Sequence, residues 1–250
     1  MHIQGKRAVI VGGASGFGYA AAEALAERGA AVAVLDLPTS AGRQVADALG
    51  GAFYKVDVTD FAGTEQALDQ AVQQLGGLHV VVTTAGGGGP VQRTFDQSGP
   101  HDLGAFRAIL DLNVVATFNV NRLAASHMSR NESEDGERGV IVNTSSLAAF
   151  GGQPGLVAYT AAKAAIAGMC LTMARDLGDL GIRVMAIAPS LFATGMTAGV
   201  SGDVAAALTR DAPFPRRLGR PGEYAQLVVA IVENQMLNGQ CLRLDAGLRR

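Results

Sequence analysis

A tyrosine and a lysine stand four positions apart in AYTAAKAAIAGM, residues 158–169, among small and apolar neighbours. One helical turn puts Tyr159 and Lys163 on the same face, so a phenol and an ammonium can share one small space. A free phenol ionises near pH ~10, and a fixed cation beside it favours the phenolate. The spacing therefore predicts an acid–base pair working near neutral pH.

A second constellation lies near the start of the chain. VGGASGFGYAAAEALAERG (11–29) follows an apolar β-branched run and spaces Gly12, Gly16 and Gly18 as GxxxGxG. Glycines at such a turn let the backbone approach a pyrophosphate, and the helix that follows directs its first N–H groups at the negative charge. Ser15 and Phe17 belong to the same turn. Asp36 comes 18 residues after Gly18, at the end of the second apolar run. A carboxylate there accepts hydrogen bonds from both hydroxyls of an adenosine ribose and repels a 2′-phosphate. Neither Ser15 nor Leu37 offers such a phosphate a cation, so the expected cofactor is NAD rather than NADP. Asp57 and Val58 close the third run on the same edge and are expected beside the adenine.

These residues need a frame, and the chain supplies one. RAVIVG (7–12), AVAVLD (31–36), AFYKVDV (52–58), HVVVTT (79–84), VIVNTS (140–145), RVMAIA (183–188) and QCLRLD (240–245) alternate with helical segments. Such runs are apolar on both faces, as strands of a parallel sheet covered by helices must be. The expected fold is α/β, a Rossmann-type doubly wound seven-stranded parallel sheet with right-handed crossovers, in a single domain over residues 1–250. Three segments break the alternation. GGGGPVQRTFDQSGPHD (86–102) reads as a surface loop near the site, SRNESEDGERG (129–139) as a solvated connection, and residues 190–221 as a substrate lid.

Composition bounds the function. The formal net charge of −2 gives no electrostatic case for nucleic acid, and the first apolar run is too short to span a bilayer. No signal peptide or membrane helix is expected, which points to the cytoplasm. The four histidines are scattered and no HExxH or paired CxxC occurs, so no metal is expected; Cys170 and Cys241 read as free thiols.

Taken in order, GxxxGxG, the TTAG stretch at 83–86, a serine and YxxxK resemble the short-chain dehydrogenase/reductase family over essentially the whole chain. The resemblance implies that Tyr159 is the general acid/base, and that Lys163 lowers its pKa and holds the nicotinamide ribose. It further implies that Ser146, 13 residues before the tyrosine, holds the substrate oxygen, and that Asn113 in ILDLNVVATFNV keeps a water in the proton relay. It also implies cofactor contacts at Thr84, Ala85, Gly86, Pro189, Phe192 and Thr194. The sequence departs from the family where Thr83 and Thr84 replace frequent asparagines, where Ser190 replaces a frequent glycine, and where Val11 replaces the usual threonine. None removes a group from the tetrad; altered loop stability and a missing turn hydrogen bond are expected.

Within the family, LDLP (35–38), GVIVNTSSLAAFGGQPG (139–155), IRVMAIAPSLFATGM (182–196) and APFPRRLGRPGEYAQLVVAIVEN (212–234) resemble the type-2 3-hydroxyacyl-CoA dehydrogenases. That likeness implies NAD-dependent interconversion of (S)-3-hydroxyacyl-CoA and 3-oxoacyl-CoA, a place in fatty acid metabolism, and a homotetramer built through helices around 104–125 and 158–177 and the last strand. Arg216, Arg217 and Arg220 read either as contacts to CoA phosphates or as a solvated basic turn. A hydroxysteroid or other secondary-alcohol dehydrogenase would use the same tetrad. A non-catalytic nucleotide-binding scaffold is the contrasting class, and it predicts decay of a tetrad that is intact here.

Overall fold

The computed structural model describes residues 1–195 and 201–248. β1 (Arg7–Val11), α1 (Gly16–Ala26), β2 (Ala31–Asp36), α2 (Gly42–Ala48), β3 (Ala52–Lys55), α3 (Phe61–Leu75) and β4 (Val80–Thr83) form the first half. A small antiparallel hairpin, β5 (Phe95–Asp96) with β6 (Gly99–Pro100), precedes α4 (Leu103–Leu110), which continues through a π-helical turn, Asp111–Val115, into α5 (Ala116–Met128). β7 (Gly139–Thr144), α6 (Val157–Asp176), β8 (Ile182–Pro189), α7 (Gly202–Thr209), α8 (Pro221–Glu233) and β9 (Cys241–Leu244) complete the chain.

Seven strands make one sheet in the order β3-β2-β1-β4-β7-β8-β9, every neighbour parallel. The chain winds outward from β1 to β3, returns to β4 and then winds the other way. Between β1 and β4 the strand order reverses, and a crevice opens at the carboxyl ends there. Successive residues of β1 divide between the two faces: Val9 and Val11 pack with the buried residues of α3, α5 and α6, Ala8 and Ile10 with those of α1 and α8. Apolar burial on both faces is the reason the strands read as continuous runs rather than as alternation.

Helix ends are fixed by local chemistry. Asp60 caps α3 by accepting the Gly63 N–H at 3.0 Å, and Gly76, at φ 75°, ends that helix in the left-handed region. Pro221 opens α8, and the Glu223 carboxylate reaches back to the Arg220 N–H at 2.7 Å. At the amino ends of the strands, Arg183 of β8 is buried and saturated. It meets Glu137 Oε1 at 2.7 Å and donates to the carbonyls of Ile231 and Leu237 at 2.8 Å and of Val232 at 2.9 Å.

Four details correct or refine the sequence reading. β3 ends at Lys55, so Asp57 and Val58 lie in the turn after it. Residues 86–102 form a surface loop beside the cleft, as expected, and also contain the short hairpin. The polar segment 129–139 is not wholly solvated: Glu137 is 6% exposed because it answers Arg183. Two helical stretches, Leu103–Met128 and Val157–Asp176, are by length and composition apolar enough to cross a membrane. Both lay one side against the sheet, and the second buries a stripe of Ala158, Ala162, Lys163, Ile166, Cys170 and Met173. Of the segment expected to be a lid, residues 196–200 lie outside the described residues; the rest includes α7 and a bridge between Phe192 and Gly219. Cys170 and Cys241 are free, as expected.

Candidate active site

The glycine turn closes against the end of β4. Gly12 (φ 82°) leaves no room for a side chain: a Cβ there would lie 2.5 Å from the Ala85 nitrogen and 2.8 Å from Thr84 Oγ1. At Gly18 a Cβ would collide with the Gly12 carbonyl. Thr84 Oγ1 donates to the carbonyls of Val11 and Gly12 at 3.1 and 3.0 Å. The hydrogen bond expected to be missing because of Val11 is thus supplied from the neighbouring strand. Ser15, at the start of α1, makes no side-chain cap, which leaves the first N–H groups of that helix for an anion. Phe17 turns inward, 4.6 Å from the Tyr224 ring and 5.1 Å from Phe192. Thr194 stands over the turn, its Cγ2 3.5 Å from where a Gly16 Cβ would be. Pro189 ends β8 beside it.

Asp36 faces the same turn. One carboxylate oxygen accepts the Ala14 N–H at 2.8 Å and the other the Leu37 N–H at 2.7 Å. Each oxygen keeps a lone pair for a ribose hydroxyl. Asp57 spends one carboxylate oxygen on the Thr59 N–H and hydroxyl at 2.9 and 2.7 Å. Those bonds hold its pKa below the ordinary carboxylate value. Val58 is buried beneath. A close-approach turn, an uncapped helix start and a doubly accepting carboxylate fit a nicotinamide dinucleotide.

On α6, Lys163 is only 4% exposed. Its Nζ donates to the Thr144 carbonyl at 3.0 Å and stands 5.6 Å from the centroid of the Tyr159 ring. Ser145 Oγ donates to the Lys163 carbonyl at 2.8 Å, so the end of β7 grips the lysine at both ends. Ser146 begins a 3₁₀ turn, Leu147–Ala149, by accepting the Ala148 N–H at 3.2 Å. It also borders the cleft beside Tyr159, whose phenol it lowers slightly.

Asn113 is fully buried in the π-helical turn, a distortion that often marks a functional position. Its amide donates to the Gly87 and Ile109 carbonyls at 2.9 and 3.0 Å and accepts the Gly87 N–H at 3.2 Å. Gly86 fits between catalytic groups: a Cβ there would lie 2.7 Å from Asn113 Oδ1 and 3.4 Å from Lys163 Nζ. Tyr159, Lys163 and Ser146 therefore converge with the glycine turn on one cleft of about 570 Å³ at the switch point, and Asn113 lies behind its wall, bonded to Gly87, which lines it.

Burial shapes the electrostatics. It raises the Tyr159 phenol above its ordinary value, against a smaller lowering from the Ser146 hydrogen bond, and it lowers the Lys163 ammonium to about 8. Without a cofactor, the lysine therefore does not bring the tyrosine toward neutrality. The ammonium lies over the ring and not against the hydroxyl, so desolvation wins.

Sequence reasoning missed Ser145, whose hydroxyl holds Lys163, and Tyr224. The Tyr224 hydroxyl, fully buried, meets Thr144 Oγ1 at 2.8 Å, and Thr144 in turn carries the lysine. It also missed the leucines 147, 156, 191 and 248 that line the cleft. Only the NTSSL run hinted at any of these. Arg217 forks onto both oxygens of Glu223 at 2.6 and 3.0 Å.

The profile of the short chain dehydrogenase family matches residues 6–205. The chain belongs to that family. It is 48% identical over 245 residues, 96% of each chain, to 3-hydroxyacyl-CoA dehydrogenase type-2 of Drosophila melanogaster. It is 46% identical over 252 residues to the human protein of the same name, covering 99% of this chain and 96% of that one. The crystal structure of 3-hydroxyacyl-CoA dehydrogenase type-2 from Mycobacterium avium superposes with a TM-score of 0.93 at 38% identity, covering 98% of this chain and 96% of the other. As a short-chain dehydrogenase, the protein is a nicotinamide-dependent oxidoreductase that interconverts secondary alcohols and ketones.

Proposed function

We propose that this short-chain dehydrogenase uses NAD and interconverts (S)-3-hydroxyacyl-CoA and 3-oxoacyl-CoA, with Tyr159 as its acid–base group. Asp36 carries the cofactor assignment. It closes β2 with one oxygen on the glycine turn and the other on the Leu37 N–H, and no cation stands at Ser15 or Leu37, so a 2′-phosphate would meet a carboxylate and no counter-charge. Relatives whose names specify the acyl-CoA reaction, at 46–48% identity over nearly the full length, support the substrate class.

When bound, the nicotinamide supplies the hydride acceptor or donor. In oxidation, Ser146 and Tyr159 hold the substrate oxygen, and Tyr159 takes the hydroxyl proton. Lys163, held by the Thr144 carbonyl, keeps positive charge near the phenolate, and Asn113 braces the Gly86–Gly87 turn beside it. Burial raises the phenol, and a positively charged nicotinamide, when bound, would add to the stabilisation that Lys163 gives the phenolate. Reduction runs the same proton path backwards.

Lys163 is the one charged side chain lining the cleft among the described residues. The acyl chain belongs inside, and the CoA phosphates outside. Val91, Phe95 and Phe214 are exposed on the two segments that flank the cleft and suit the pantetheine arm. The same leucine-lined space, with Lys163 its one charge among the described residues, supports a second reading, a hydroxysteroid or other bulky secondary alcohol. We place the protein in the cytoplasm and in fatty acid metabolism, and treat residues 190–221 as a substrate lid.

The test is to mix purified protein with acetoacetyl-CoA and follow NADH absorbance, then repeat with NADPH. Rapid loss of NADH but not NADPH is expected. Equal rates would overturn the Asp36 argument, and inertness toward the thioester in a protein that reduces steroid ketones would favour the second reading.

A further inference from the structure

β9 ends in the stretch RLDAGL, residues 243–248, of which Arg243 and Leu244 close the strand. Ala246 (φ 54°) and Gly247 (φ 77°) are consecutive left-handed residues. For alanine that conformation costs roughly 1–2 kcal/mol and persists only where the surroundings impose it. Arg243 imposes it. Its Nε donates to one Asp245 oxygen at 2.8 Å and a terminal nitrogen to the Leu248 carbonyl at 3.1 Å. The other Asp245 oxygen accepts the Gly247 N–H at 3.0 Å, and the Leu248 N–H returns to the Asp245 carbonyl at 2.8 Å. The turn is closed around one guanidinium. That guanidinium also lies 5.1 Å from the centroid of Phe150, which ends the 3₁₀ turn begun by Ser146.

The closed turn delivers Leu248, 2% exposed, into a cluster with Leu147 and Ala212. Leu147 directly follows the serine, and Ala212 belongs to the segment after α7. Leu248 thus stands where the catalytic loop meets the far side of the cleft, and it borders the same cavity as Ser146 and Tyr159. We infer that Leu248 is a specificity-determining wall of the substrate pocket and that Arg243 is the positioning residue that holds this wall against the catalytic loop. The inference rests on the secondary-alcohol chemistry of the site, and it holds whether or not the substrate is an acyl-CoA. Trimming the wall opens space for bulk, and a hydrophobic pocket discriminates by about 10–200-fold per methylene-sized change.

The test uses the full chain with NADH and two ketone series, 3-oxoacyl thioesters and cyclic ketones, each with a small and a bulky member. Leu248→Ala is expected to raise the bulky-to-small ratio of kcat/KM about tenfold, and Leu248→Phe to lower it similarly. Arg243→Gln is expected to raise KM in both series with a smaller change in kcat, and Arg243→Lys, which keeps the charge but not the planar two-point hold, to restore part of the affinity. Where a variant loses turnover, the thermal shift of the NADH-loaded protein with the same ketones reads the preference as binding. An unchanged ratio in both Leu248 variants would overturn the wall, and an unchanged KM in Arg243→Gln would overturn the positioning role. If the wild-type protein ignores thioesters but reduces cyclic ketones, the acyl-CoA assignment fails while the cyclic series still decides the role of Leu248.

Discussion

At the scale of single residues, the two central groups are both displaced from their ordinary pKa values by the same burial, in opposite directions with respect to water. Tyr159→Phe removes the acid–base hydroxyl of α6 that borders the cleft beside Ser146. It is expected to cut turnover by at least about a hundredfold while NADH still quenches or enhances fluorescence as before; retained turnover would refute the assignment. Lys163 gives a separate signature. Its folded pKa, about 8, lies below the 10.5 of the free side chain. Between those values the unfolded chain holds a proton that the fold has released. Stability from this group therefore rises as pH climbs from 8 through 10.5, and below 8 the full penalty of burying the ammonium applies. Lys163→Met is expected to be inactive yet more stable than wild type at pH 7, by an amount of order 3 kcal/mol that fades toward the alkaline end. Urea unfolding of both proteins across pH measures it, and a variant less stable at pH 7 would show that the Thr144 hydrogen bond outweighs desolvation. Tyr159 and Lys163 were legible because their relation is local, one turn of helix. The direction of the tyrosine's shift was not legible, because depth of burial depends on what the rest of the chain lays over α6.

Between elements, the contacts that matter join ends of neighbouring strands. Thr84 of the β4 end ties down the β1 turn with two hydrogen bonds from one hydroxyl. Thr84→Val keeps the shape and removes both. The expected result is a loss of about 1–2 kcal/mol in stability and NADH binding weakened about tenfold, since the turn must be held flat to receive a pyrophosphate; isothermal titration settles it, and unchanged affinity would show that Gly12 and Gly18 hold the turn unaided. The strand runs themselves were readable, since a parallel sheet covered on both sides writes a continuous apolar stretch. Their ends were less so: YKVDV kept the apolar rhythm past Lys55 although pairing with β2 had stopped. The π-helical turn at Asn113 left no mark in ILDLNVVATFNV, and Tyr224 reaches Thr144 across 80 residues of chain, a separation no spacing rule spans.

For the molecule as a whole, the outward faces of the α4–α5 helix and of α6 carry apolar side chains among charged ones, with Val115, Phe118, Val157 and Leu171 each at least 40% exposed. Such a surface suits burial between copies, and we propose that the protein works as a homotetramer. Light scattering at micromolar concentration is expected to give four times the 25.6 kDa chain mass, and a clean monomer would sink the proposal. The sides that these two stretches bury within the chain contribute to the hydropathy by which, in length and composition, they could cross a membrane.

β8 carries Arg183 near one end and Pro189 at the other, roughly 20 Å apart along an extended strand. The anchored end answers Glu137 and a ring of carbonyls; the far end borders the chemistry. Mutational risk is therefore unevenly spread along a single strand. Changes around the cleft, even clumsy ones that strain a loop or exchange a leucine, leave the Arg183 anchor intact. The architecture lets a lineage rewrite what the enzyme accepts without renegotiating how the chain stays folded.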